Sequence, residues 1–285
     1  MRSLPHLFAC IVFLACCSGQ VGRNDPIGAP DIPGQNAPPG TGPAIVERFP
    51  VPAGFTRTAF VEHSFGHYLR GLPLKPPGAP VYLHTGELKW NQRAHAAVID
   101  MSVGKRDLQQ CADALMRLRA EHLYSSGKQD EITFNFTSGF QADWKRWRNG
   151  ERIRVNGNAC SWTRSGKQDG SHEQLLSYLQ QVFTYAGTLS LSKELLDVST
   201  EPMEAGDVFI HGGSPGHAVM VVDVARNAAG EVTFMLAQSY MPAQDIHVLR
   251  NLKDAERSPW FTLNATDKLY TPEWTFEWNE RKRWP

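Results

Sequence analysis

The stretch GDVFIHGGSPGHAVMVVDVARNAAGEVTFMLAQSY, residues 206–240, decides the fold. Two apolar runs, HAVMVVDV and EVTFMLAQSY, flank RNAAG, in which Asn and Gly stand where turn chemistry wants them. The reading is an antiparallel hairpin. DVFIH, behind a Gly206-Asp207 turn, supplies a strand before it. If Arg226 pairs with Glu231, residue 217 lies opposite 240 and Gln238 lies opposite Val219. Strand alternation then puts His217 and Gln238 on one face as diagonal neighbours, about 7 Å apart. Asp223 shares that face by the same count but sits about 20 Å along the strand, beyond reach of the His217 ring.

Working outward, AHAAVIDM (94–101) reads as a strand. RDLQQCADALMRLRAEHLYS (106–125) carries Leu108, Cys111, Ala112, Leu115 and Leu118 at helical spacing, with Asp107 as cap and Gly127 beyond its end. DEITFNFTSGF (130–140) alternates Ile132, Phe134 and Phe136 as a half-buried strand does. SHEQLLSYLQQVFTYAG (171–187) is a second helix, with a Ser171/Gln174 capping box, a stripe of Leu175, Leu179, Val182, Phe183 and Ala186, and a stop at Gly187. PEWTFEW (272–278) alternates aromatics as an edge strand would. Helices first and antiparallel strands later predict an α+β architecture.

The N-terminal part is different. Residues 1–20, MRSLPHLFACIVFLACCSGQ, hold one early Arg and an apolar core too short to span a bilayer, the pattern of a secretion signal. FLAC before Cys-Ser-Gly resembles the lipobox of bacterial lipoproteins, in which the lipid-bearing cysteine becomes the first residue of the mature chain. Cys16 is the expected lipidation site and Cys17 the second choice. A plain cleaved signal is the alternative. Residues 21–44 are rich in Pro, Gly and Asn and read as a flexible tether, leaving 45–285 as a single globular domain. Such a chain is expected in the bacterial cell envelope, exported and anchored to the membrane by its lipid.

Lys plus Arg number 29 and so do Asp plus Glu, so no net charge draws the chain to nucleic acid. No P-loop and no dinucleotide fingerprint occurs, and no cofactor is expected. His63 and His67 in VEHSFGHYL would share a helical face, but two ligands do not hold a metal, and no metal site is expected. Ser214 lacks the strand-to-helix elbow of a serine hydrolase. Eight tryptophans, among them Trp144, Trp147, Trp260, Trp274 and Trp278, suit core or rim packing, with sugar stacking as the alternative.

A histidine held by an amide oxygen is half of a nucleophile-activating set. Cys111, in the first turn of its helix, is the candidate for the other half. There, free backbone N–H groups and the helix dipole favour thiolate and offer donors to an oxyanion. QQCADAL, AGDVFI, GHAVMVVD and LAQSY resemble, in that order, pieces of the papain-like cysteine amidases and peptidases of the CHAP and NlpC type. The resemblance implies a papain-like fold with helices packed on an antiparallel sheet. It implies Cys111 as nucleophile, His217 as base and Gln238 as orienting group. Gln110 and Ala112, beside the cysteine, depart from the residues usual there. Across residues 45–280 the sequence also resembles a family of bacterial, lipoprotein-like proteins catalogued as domain of unknown function 4846, through RDLQQCADALMRLRAE, FNFTSGF, FTYAGTLSLSKEL, GHAVMVVD, AQSYMPAQDIHVL, SPWF and TPEW. That family carries no activity to transfer.

Two functions follow as expectations. One is an envelope-tethered cysteine hydrolase of amide or peptide bonds, with cell-wall peptide as a candidate substrate. The other is a non-catalytic envelope protein that binds peptide or glycan in the same groove. Cys111 on the apolar stripe could equally be a small buried hydrophobe, or form a disulfide with Cys160 in an oxidising compartment. His217 and Gln238 have structural alternatives as strand-end residues satisfying backbone groups.

Overall fold

The computed structural model describes residues 40–262 and 268–285. The expected signal, Cys16, Cys17 and most of the tether lie outside the described residues. The last residues of the expected tether belong to the folded body: Leu74 N–H donates to Pro43 O, and Ala44 bridges Pro73.

Nine strands form one antiparallel sheet: β1 (Phe55–Arg57), β2 (His95–Val98), β3 (Leu196–Asp197), β4 (Val208–His211), β5 (His217–Asn227), β6 (Val232–Gln238), β7 (His247–Leu249), β8 (Trp260–Thr262) and β9 (Arg281–Arg283). Their order is β2-β7-β6-β5-β4-β9-β3, with β1 also on β5 and β8 also on β6. Every residue of β5 from His217 to Ala225 is buried. Its unbroken apolar run reflects cover on both faces, which an antiparallel strand open to water on one side would not need.

One face carries the helices α1 (Phe65–Arg70), α2 (Cys111–Ser125), α3 (His172–Tyr185) and α4 (Thr188–Glu194). Leu69, Leu115, Leu118, Leu179, Val182 and Leu191 pack there with Ala218, Met220, Val222, Met235 and Ala237. The other face is covered by the C-terminal segment. Leu269 and Phe276, joined by Met203 from the chain before β4, close over Phe209, Val219, Val221, Phe234 and Leu236, with Trp274 and Trp278 at the margin. This is an α+β architecture dominated by its sheet.

The hairpin departs from its expected register at the loop and returns to it at the far end. Arg226 pairs with Val232, one residue off the expected Glu231. Between Met235↔Asp223 and Leu236↔Val221 the register shifts, so Val222 is an extra residue on β5. Such a bulge inserts one residue into one strand and restores pairing beyond it. Ala237 then faces Met220, the expected phase. Asp223 lies on the loop side of the bulge, where Arg57 and Arg70 bind it.

Other elements differ in detail. α2 begins at Cys111, not at a turn capped by Asp107; Gln110 N–H is met by Asp113 Oδ2 at 3.1 Å. Asp107 instead accepts from Gln110 Nε2 and from Ala243 N–H, tying the loop before α2 to the loop after β6. Ser171 caps α3 by accepting from Gln174 N–H. The Gln174 side chain turns to Trp147 and Arg152 and does not complete a box. Thr275–Phe276 pairs with Leu269–Tyr270 in a separate two-stranded ladder, not at the edge of the main sheet, because Phe276 is needed in the second core. Ile132, Phe134 and Phe136 are all buried. Among the described residues no helix is long and apolar enough to cross a membrane.

Candidate functional site

Loop 212–216 leads into β5 and lies against α4. Thr188 Oγ1 donates to Gly213 O and accepts from Gly213 N–H. A Cβ on Gly216 would collide with Gly213 O and with Thr188 Oγ1, so only glycine lets the loop close this tightly before His217. The glycines of GGSPGH therefore fix where β5 starts and where its first side chain stands.

A cleft of about 430 Å³ opens at this point. Cys111, Ala112, Gly213, His217, Tyr240 and Trp274 are among the residues that line it. Cys111 and His217, 106 residues apart (217 − 111), thus meet at one cleft. Backbone N–H groups of Ala112, Ala218 and Cys111 bear on the Cys111 sulfur, and Ala218 directly follows His217. No hydrogen bond joins the Cys111 thiol to the His217 ring.

The imidazole is packed by aromatics: Tyr240 at 4.8 Å between ring centroids, Trp274 at 5.5 Å and Phe276 at 5.8 Å, the last nearly parallel. His217 is 1% exposed. Burial, aided by the positive charge of Lys89 and opposed by the Gln238 bond, lowers its pKa to about 4. The ring is therefore neutral at pH 7.

The tautomer follows from the network behind the ring. His217 Nε2 lies 2.8 Å from Gln238 Oε1. Gln238 Nε2 lies 2.8 Å from Glu273 Oε2. A carboxylate only accepts, so the amide nitrogen must face Glu273 and the amide oxygen must face His217. The oxygen in turn only accepts, so His217 carries its proton on Nε2. Its Nδ1 is then the basic nitrogen, without a hydrogen-bond partner among the described residues. Gln238 Nε2 also approaches His247 Nε2 at 3.5 Å, while His247 Nδ1 meets Asp245 O at 2.8 Å. Glu273 is held further by Lys89 Nζ at 2.6 Å and Asn91 Nδ2 at 3.2 Å. Gln238 is fully buried, and Lys89 is 2% exposed.

Cys111 differs from the sequence expectation. Its pKa is pushed up to about 11 by burial first and the nearby Asp113 carboxyl second, against the pull of the three backbone N–H groups. The helix dipole does not win, because a desolvated thiolate costs more than one helix end returns. The resting pair is a neutral thiol beside a neutral imidazole.

Cys160 lies on the hairpin strand Ala159–Arg164, 3.7 Å from Ser138 Oγ, and both it and Cys111 are free thiols. His63 has φ of 60° outside α1, so it does not share a helix with His67. Among the described residues no group of three or more His, Cys, Asp and Glu side chains is placed to hold a metal ion. Trp144, Trp147 and Trp260 are buried in the core, whereas Trp274 lines the cleft.

Sequence reasoning missed Glu273 and Lys89. Both sit in irregular segments, and the alternation around Glu273 marks its aromatic neighbours rather than the carboxylate. The only trace of Glu273 was its place in PEW, one residue before a tryptophan that was noticed.

Fold and site together define an α+β protein in which a helix start and the end of a central strand bring a cysteine and a histidine to one cleft, with an amide behind the histidine ring. The chain belongs to the family described as domain of unknown function (4846), whose model matches residues 45–283. No curated protein and no solved structure matches it.

Proposed function

We propose that this chain is a cysteine hydrolase of amide or peptide bonds, papain-like in arrangement, with Cys111 as nucleophile, His217 as base and Gln238 as orienting group. The observation that carries the reading is the His217 Nε2 to Gln238 Oε1 bond on a ring that lines the Cys111 cleft. It leaves a basic Nδ1 on the ring.

The chemistry balances as follows. Cys111 sulfur attacks the carbonyl carbon while its proton passes to His217 Nδ1. The C–S bond forms, and the carbonyl oxygen takes the negative charge near backbone N–H groups at the start of α2. The C–N bond then breaks as the imidazolium gives its proton to the departing amine. Water attacks the thioester, losing a proton to His217, and the thiol is restored as the acid leaves. Because both groups rest neutral, proton transfer accompanies attack.

Export, with lipid on Cys16, would hold the domain at the bacterial envelope, where cell-wall peptide is the nearest amide substrate. The test compares wild type with Cys111→Ala on muropeptides. Turnover is expected in wild type and lost in the variant; equal turnover, or none in either, overturns the reading.

A second reading has its own support. The raised Cys111 pKa and the missing Cys111–His217 bond favour a groove that binds peptide or glycan without cleaving it. Iodoacetamide separates the two. If His217 serves Cys111, His217→Ala slows alkylation at pH 7 by about a hundredfold, the low end of what a general base contributes. An unchanged rate supports binding alone.

A further inference from the structure

Behind His217 lies a buried ion pair that the proposed chemistry does not touch. Lys89 Nζ and Glu273 Oε2 are 2.6 Å apart, with side chains 2% and 7% exposed. Burial of such a pair costs desolvation on both members and seldom adds stability over apolar packing. What distinguishes this one is its third partner. Glu273 Oε2 also accepts from Gln238 Nε2, and the amide oxygen of Gln238 reaches His217. An amide has two ends of nearly equal shape, and turning it over would present N–H to the ring. Acceptors on the far side oppose that turn, and Glu273 Oε2 at 2.8 Å, which can never donate, is the nearer of two, with His247 Nε2 at 3.5 Å. Lys89 and Asn91 hold the carboxylate in place from two other directions.

We propose that Glu273, held by Lys89, is a positioning residue that locks the Gln238 amide and through it keeps His217 protonated on Nε2, with Nδ1 free for the cleft. The inference deepens the hydrolase reading and rests on it for its purpose. Its physical content is a tautomer, which is measured without substrate. A flipped amide would favour the Nδ1–H ring, which has no lone pair on the cleft side and cannot take a proton there.

The test is long-range proton–nitrogen NMR of the His217 ring at pH 7 in three full-length proteins. Wild type should show Nε2–H. K89M/E273Q removes both charges and replaces the obligate acceptor with an amide that can itself turn, so the ratio of Nε2–H to Nδ1–H should already fall there. K89M/E273M removes the acceptor, and the ratio of Nε2–H to Nδ1–H should fall by about fivefold, the worth of one net hydrogen bond. Replacing both charges together avoids leaving a lone buried ion; K89M/E273A serves if the methionine pair does not fold, as judged by circular dichroism. An unchanged ratio in K89M/E273M overturns the proposal. So does Nδ1–H in wild type, or an unchanged ratio in K89M/E273Q. Failure of the hydrolase reading shows elsewhere, as absent turnover with the tautomer pattern intact.

Discussion

Of the carboxylates buried under cations beside the sheet, Asp207 and Glu273 end in different places. Asp207, just before β4, meets Arg281 Nη1 and Arg283 Nε at 2.6 Å each, and Arg281 continues to Val198 O and Glu201 O. The further contacts there are backbone groups, the Trp278 ring under Arg281 and the Glu204 carboxyl beside Arg283, none of them at the cleft, so the pair staples the C-terminal strand β9 to the chain before β4. Glu273 meets Lys89 at a similar distance but continues through Gln238 to a titratable ring. The same chemistry is structural in one place and directional in the other. The difference lies in whether the last group can change its proton.

The largest effect should come from breaking the staple. Arg281→Met leaves Asp207 short of a partner and frees two backbone carbonyls, and should cost about 4 kcal/mol in denaturant unfolding. The His217 titration and tautomer should not move; if they do, the two centres are not separate.

Lys89→Met breaks the other pair and should cost about 3 kcal/mol. Unlike Arg281→Met, it should also raise the His217 pKa above its value of about 4, because Lys89 charge holds it down and Glu273 would remain. Proton NMR titration of the ring checks the sign.

Acid should reveal the buried rings. His217 and His247 are pushed down to about 4 and about 3, chiefly by burial. Below about pH 6.5 the unfolded chain binds protons that the folded rings refuse, so stability is full above that pH and falls as pH drops toward 4. The slope should approach about 1.4 kcal/mol per pH unit for each ring. Unfolding midpoints flat from pH 7 to 4 would show that these rings are not held neutral.

The smallest effect should be Cys160→Ser. That thiol is half-buried on a peripheral hairpin, and the change should stay within about 0.5 kcal/mol and leave alkylation of Cys111 unaltered.

The hairpin was legible because β5 and β6 are continuous apolar runs around a loop of turn residues. Both long helices were legible from their stripes. Thus His217, Gln238 and Cys111 could be named as candidates before their positions were known. His217 and Gln238 fall in the phase that pairing Arg226 with Glu231 predicts, although Arg226 pairs with Val232, because the extra Val222 offsets the one-residue difference at the loop. What could not be read is set by tertiary context. Thiol ionisation depends on desolvation around Cys111, which helix position alone does not report. Phe276 looked like part of an edge strand because alternation does not say which core an aromatic fills. Lys89 and Glu273, 184 residues apart (273 − 89), carry no local pattern, and only the folded chain makes them neighbours.

The bulge at Val222 also bears on how this hairpin can vary. It divides the ladder into two segments with independent phase. Lengthening or shortening the RNAAG loop by one residue can be absorbed by shifting or deleting the surplus residue, while Ala237 still faces Met220. Relatives with altered loops can therefore keep the ring and the amide in reach of each other, and drift in that turn is uncoupled from the geometry at the cleft.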